Sequence, residues 1–274
     1  MKKNKIWISN IACVSIIAML IVSSCKKEEV YVKPVLPPAT AFIIDFSDFE
    51  AGTVKVENSP NTALNFGFSA IQVLVWKTII SVGLAVPVAS YNYALEQTPT
   101  MVQANKWLWS YSIPVNQDVY TAKLYGTVTS DSVFWEMFIS KIAGLGQFAD
   151  YKWYTGAMDK DVTNGYWFLN DNPTSNLPVL RIDWESDEPA QTWSIRYMNV
   201  VPAGTENGGF ILHGVTANPS FDAFFTIFNK GQNQTTNIEW NKTTIAGRVK
   251  APDFYEDENW HCWDENQQDV DCSE

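Results

Sequence analysis

From residue 107 to residue 250 the chain repeats one pattern: short stretches that alternate apolar with polar side chains, each closed by turn residues. The stretches are 107–113, 121–129, 133–140, 151–156, 165–170, 179–185, 192–199, 208–215, 221–229, 236–240 and 244–250. Leu180, Ile182 and Trp184 point one way while Arg181, Asp183 and Glu185 point the other, the period-two signature of a strand with one dry face. Ser130-Asp131-Ser132, Thr163-Asn164-Gly165 and Glu206-Asn207-Gly208-Gly209 supply the turns. Many strands in series with short joints predict a mainly β, antiparallel meander. Because bare edges are hazardous, the expectation is closure into a β-barrel or a strongly curled sheet. Apart from Glu136, residues 133–139 are apolar on both faces and 221–228 nearly so, which predicts cover on both sides. Another strand is expected over 41–46.

One segment breaks this pattern. Asn61, Asn65, Ser69 and Gln72 recur at helical spacing within an otherwise apolar run, with Ser59-Pro60 as a start and Pro87 as a stop. This predicts one long apolar helix over about 60–86, buried on most sides and packed in or against the sheet. Lys77 and Gln72 argue against a membrane span. The polar stripe Asn65, Ser69 and Gln72 is the candidate lining of a ligand cavity.

The chain has 274 residues, with 30 Asp and Glu against 19 Lys and Arg, and 46% hydrophobic residues. That supports a full core, and the acidic excess argues against nucleic acid as a partner. Residues 253–274 carry no Lys or Arg and read as a solvated acidic tail, with Trp260 and Trp263 around His261-Cys262. Calcium is the alternative occupant of that tail, although no stepwise ligand spacing is visible, so no metal site is assigned.

Signatures of nucleophilic, zinc or nucleotide chemistry are missing from the sequence. His213 lies in a predicted strand and His261 in the tail, neither with a recognisable partner. Glu136, between Phe134 and Phe138, together with Asp183 or Glu185, is the carboxylate pair that would serve a glycoside hydrolase. Asp159 to Gly165 departs from calcium-loop spacing and reads as a polar hairpin.

The N-terminus states an address. Lys2, Lys3 and Lys5 precede an apolar stretch that ends in Leu20-Ile21-Val22-Ser23-Ser24-Cys25, a secretory signal in its physics. Small residues directly before Cys25 resemble the lipobox of bacterial lipoproteins. The resemblance implies cleavage before Cys25, lipid (palmitate among the acyl groups) on that residue, and membrane anchoring. Lys26-Lys27-Glu28-Glu29 resembles the export signal of Bacteroidota surface lipoproteins, which implies the outer face of the outer membrane, the periplasmic face being the alternative. The whole chain resembles a class of such lipoproteins, and the resemblance brings no activity.

Losing residues 1–24 removes three lysines and no acids, so 16 basic residues remain against 30 acidic, a formal −14. With Cys13 in the signal and Cys25 lipidated, Cys262 and Cys272 remain as a disulfide pair in an oxidising compartment. The expected organisation is a signal over 1–24, a Pro-containing tether over 25–39, a β-rich domain over 40–252 and a stapled tail over 253–274. The function this supports is a non-enzymatic binding or accessory module for a small apolar ligand, a glycan or an outer-membrane partner. A surface glycosidase and a structural envelope component are the alternatives.

Overall fold

The computed structural model describes residues 31–50, 63–175 and 177–272, without the side chains of 82 and 83. Cys25 and the Ser59-Pro60 start lie outside the described residues. All the elements below belong to the unit Lys33–Glu274.

The alternating stretches form a single antiparallel sheet in which every strand pairs with its sequence neighbours. The strands are β1 (Thr100–Gln103), β2 (Lys106–Val115), β3 (Asp118–Val128), β4 (Ser132–Lys141), β5 (Phe148–Asp159), β6 (Asn164–Asn170) and β7 (Pro178–Asp187). They continue as β8 (Thr192–Asn199), β9 (Phe210–Val215), β10 (Ala223–Asn229), β11 (Gln234–Trp240), β12 (Gly247–Lys250), β13 (His261–Trp263) and β14 (Asp269–Val270). The expected meander is present, but the sheet neither closes into a barrel nor curls strongly. The order starts at β1 and stops at β14, and these two edge strands are only four and two residues long. Short edges are another way to limit edge pairing, and they leave little backbone for closure.

The dry face is covered by the described residues between Pro34 and Leu95. Helix α1 (Leu64–Gly83) is followed directly by α2 (Ala85–Leu95). Pro87 therefore does not end the helix but sits in the first turn of α2, where its missing N–H costs nothing. The strand expected over 41–46 does not pair. Ala39–Ala41 is a 3-10 turn, and Phe42, Ile44 and Phe46 then dip alternately into the core. Side chains of the sheet take up this segment's polar groups. The Trp167 indole N–H donates to the Ala41 carbonyl at 3.0 Å, and the Tyr197 hydroxyl donates to the Phe42 carbonyl at 2.5 Å. The Trp240 indole donates to Asp48 Oδ2 at 2.9 Å. Phe42 packs edge-on to Trp167, and Phe49 edge-on to Trp240.

The tether is docked from Pro34 onward: Pro34 and Pro37 are buried, and the Tyr91 hydroxyl donates to the Pro37 carbonyl at 2.7 Å. The acidic tail, expected to be solvated, continues the sheet as β13 and β14, with Trp263 only 2% exposed. Cys262 and Cys272 form a disulfide.

The other sheet face is open and corrects the expectation of double cover. Phe134 is 47% exposed, while Lys152 lies over Phe138 at 5.2 Å and Lys230 over Phe228 at 5.9 Å. Cationic side chains, not a second layer, shield these rings.

Candidate functional site

Helix α1 is apolar around its circumference, yet it is not buried on most sides. Phe66, Ala70, Val73 and Ile80 follow the helical spacing and are buried against the sheet. On the opposite side Ile71, Val75 and Ile79 are 63%, 54% and 57% exposed. By length and composition alone, Leu64–Ser81 also passes as a membrane span.

Its start is fixed from the far end of the chain. Its N-cap residue, Ala63, makes no side-chain cap; instead Asp269 accepts the backbone N–H of Leu64 at 3.1 Å and of Asn65 at 2.9 Å. A carboxylate there satisfies orphan donors and meets the positive end of the helix dipole. The Asn65 amide donates to the Cys262 carbonyl at 2.9 Å and accepts from the Tyr255 hydroxyl at 2.9 Å. The Ser69 hydroxyl donates to the Asn65 carbonyl at 2.8 Å. Of the three residues expected to line a cavity, Asn65 thus ties α1 to the tail, and Ser69 bonds within α1.

Gln72 does line a groove. It lies at the start of a cleft of about 420 Å³ between α1 and one end of the sheet. Val75, Trp76 and Ile79 form one wall, and Val179, Val201 and Ile227 the other. Asn199, Glu206 and Asn229 add polar groups at the strand ends. An apolar cleft of this size with a few polar groups is the usual form of a small-molecule site. The expected burial of the helix on most sides does not extend to Val75 and Ile79. Apolar character on every side of α1 was the signal that one face would stay uncovered by the sheet.

The carboxylates expected for hydrolysis are not brought together. Glu136 on β4 is in register, through Thr155 and Phe168, with Arg181 on β7. At ~4.8 Å per strand this puts Glu136 roughly 14 Å from the Asp183 strand, beyond glycosidase spacing. Each acid also has its own partner. Lys152 donates to Glu136 at 2.7 Å, Arg181 and Arg196 hold Asp183 at 2.6 and 2.8 Å, and the Ser194 hydroxyl donates to Glu185 at 3.1 Å.

His213 is 2% exposed, donates from Nδ1 to the Phe224 carbonyl at 2.9 Å, and stacks on Phe225. Burial pushes its pKa down to about 4, so it is a neutral core residue at pH 7. His261 stacks on Tyr255 and bonds Asp257 at 3.1 Å. Among the described residues no group of three or more His, Cys, Asp or Glu is placed to hold a metal ion. The hairpin at Asp159 satisfies itself, its carboxylate accepting from the Thr163 N–H at 2.8 Å and the Asn164 amide at 2.6 Å.

Comparison with protein-family models, curated proteins and solved structures gives no match to this chain.

Proposed function

We propose that this chain is a lipid-anchored envelope lipoprotein, displayed on the outer membrane, that binds an apolar small molecule without chemically changing it. The observation that carries the binding reading is the apolar cleft of about 420 Å³ along α1, flanked by the exposed Ile71, Val75 and Ile79. Its shape suits an elongated hydrocarbon, and Gln72, Asn199 and Asn229 would orient a polar end. The anchoring reading rests on the run before Cys25 and the acid pair Glu28-Glu29. The absence of catalytic signatures in the sequence and the separation of Glu136 from Asp183 favour capture over hydrolysis.

Titration of the soluble domain with the fluorescent probe N-phenyl-1-naphthylamine tests the site. Saturable binding should weaken at least tenfold in Val75→Glu and in Val179→Glu. Equal binding by wild type and both variants would remove the cleft as the site. A second reading, an outer-membrane partner seated on α1, is favoured by the same exposed stripe. A protein co-purifying from native membranes in fixed stoichiometry, and lost in Ile71→Glu, would select it. Globomycin-sensitive processing and labelling of Cys25 by an alkyne fatty acid test the anchor, and surface proteolysis of intact cells tests its outer-face display.

A further inference from the structure

The open face of the sheet carries a second depression, of about 610 Å³, remote in chemistry from the apolar cleft. Ala157, Tyr166, Asp183, Arg196 and Leu212 form one cross-strand row of it, following the register of β5 through β9. Glu185 and Ser194, themselves paired across β7 and β8, form the next row. In that row Asp183 stands between the larger Tyr166 and Arg196, and the small Ala157 and Ser194 lie beside them.

We infer that this trough is a binding site for a neutral, polyhydroxylated ligand, that is, an uncharged saccharide chain. Asp183 and the two arginines hold one another in place. Arg181 reaches Asp183 through Nε at 2.8 Å and Nη2 at 2.6 Å, and Arg196 reaches its other oxygen at 2.8 Å. Such pairs hold donors and acceptors rigidly side by side, the pattern that recognises hydroxyl groups. The half-buried Tyr166 ring, with Arg181 5.4 Å from its centroid, adds a flat apolar surface for the C–H side of a sugar.

The same features exclude the other ligand classes. Two guanidinium groups against the carboxylates of Asp159, Asp183 and Glu185 disfavour an anion. A lining rich in ion pairs disfavours a hydrocarbon. A sheet face, with its backbone already paired in the ladder, offers no edge to an extended peptide.

Affinity electrophoresis through gels containing one neutral polysaccharide each (glycogen, xylan, mixed-linkage β-glucan, mannan) tests this, with heparin as the charged control. At least one neutral gel should retard the wild type. Tyr166→Ala and Asp183→Asn should each weaken that retardation at least tenfold, and Ile79→Glu, in the apolar cleft, should leave it unchanged. Ser194→Tyr fills the trough while keeping every Arg–Asp contact, so it decides the matter if Asp183→Asn fails to fold. No retardation in any neutral gel, retardation by heparin alone, or wild-type retardation in Tyr166→Ala and Ser194→Tyr would each overturn the site. Failure of the probe titration at Val75 would leave this result unaffected.

Discussion

The indole of Trp135 lies against the bare backbone of Gly126 on the neighbouring strand, so close that a Cβ on Gly126 would stand 2.6 Å from a ring carbon. The pair belongs to a row in which Trp107, Gly126, Trp135, Gly156 and Trp167 are successive register partners across β2 to β6. Each glycine leaves room for the indole beside it, which lets large rings share one row of a sheet. Gly126→Ala should therefore cost about 1–3 kcal/mol by overpacking, read from the midpoint of urea unfolding. An unchanged midpoint would mean that the indole moves freely.

The tryptophans of that row are not equivalent. Trp167 holds the Ala41 carbonyl, whereas the buried Trp135 N–H has no hydrogen-bond partner among the described residues. Trp167→Phe leaves a buried carbonyl unsatisfied, and Trp135→Phe removes an unsatisfied donor. Trp167→Phe should be the more destabilising by about 1–2 kcal/mol in the same unfolding assay.

His213 predicts a pH response. Its folded pKa, about 4, lies below its unfolded value of about 6.5. Its neutral form is compatible with the core, so there is no penalty above pH 6.5. As pH falls toward 4 the unfolded state takes up the proton first, and stability drops by roughly 3 kcal/mol. His213→Phe should flatten the stability profile between pH 6.5 and 4 relative to wild type. Parallel profiles would show that other groups set the slope.

Asp269 and the disulfide act on one joint. Asp269→Ala removes the acceptor for the first two N–H groups of α1 and should cost about 1–2 kcal/mol. Amide exchange should accelerate in the first turn of α1 and stay unchanged in β2 to β8.

Replacing Cys262 and Cys272 by alanine opens a loop with a sequence separation of 10. The expected cost is about 2–3 kcal/mol in the chain-entropy model. Faster exchange at β14 and at the start of α1 should accompany it, because Asp269 lies within that loop. Loss of stability with exchange at α1 unchanged would uncouple the two.

The alternation of side chains determined where the strands from β2 to β12 lie, because a period of two is a local property that each stretch states for itself. It also settled their order, since short turn-forming joints allow little but antiparallel neighbours. The pairing of Cys262 with Cys272 was legible once Cys13 was assigned to the signal-like run and Cys25 to the lipobox-like run. The four-residue β1 and the two strands of the tail were not, being too short to carry a period. Whether the sheet closes depended on whether its first and last strands meet, a contact between distant parts of the chain that no local pattern encodes. Likewise Asn65 and Ser69 look like a ligand stripe in sequence, but Asp269, Tyr255 and Cys262, some two hundred residues away, engage the start of the helix that carries them. The apolar cleft and the polar trough exist only because α1 meets the ends of the sheet and cross-strand register brings Tyr166, Asp183 and Arg196 into one row. Both depend on long-range packing and register, and only the tertiary structure decided them.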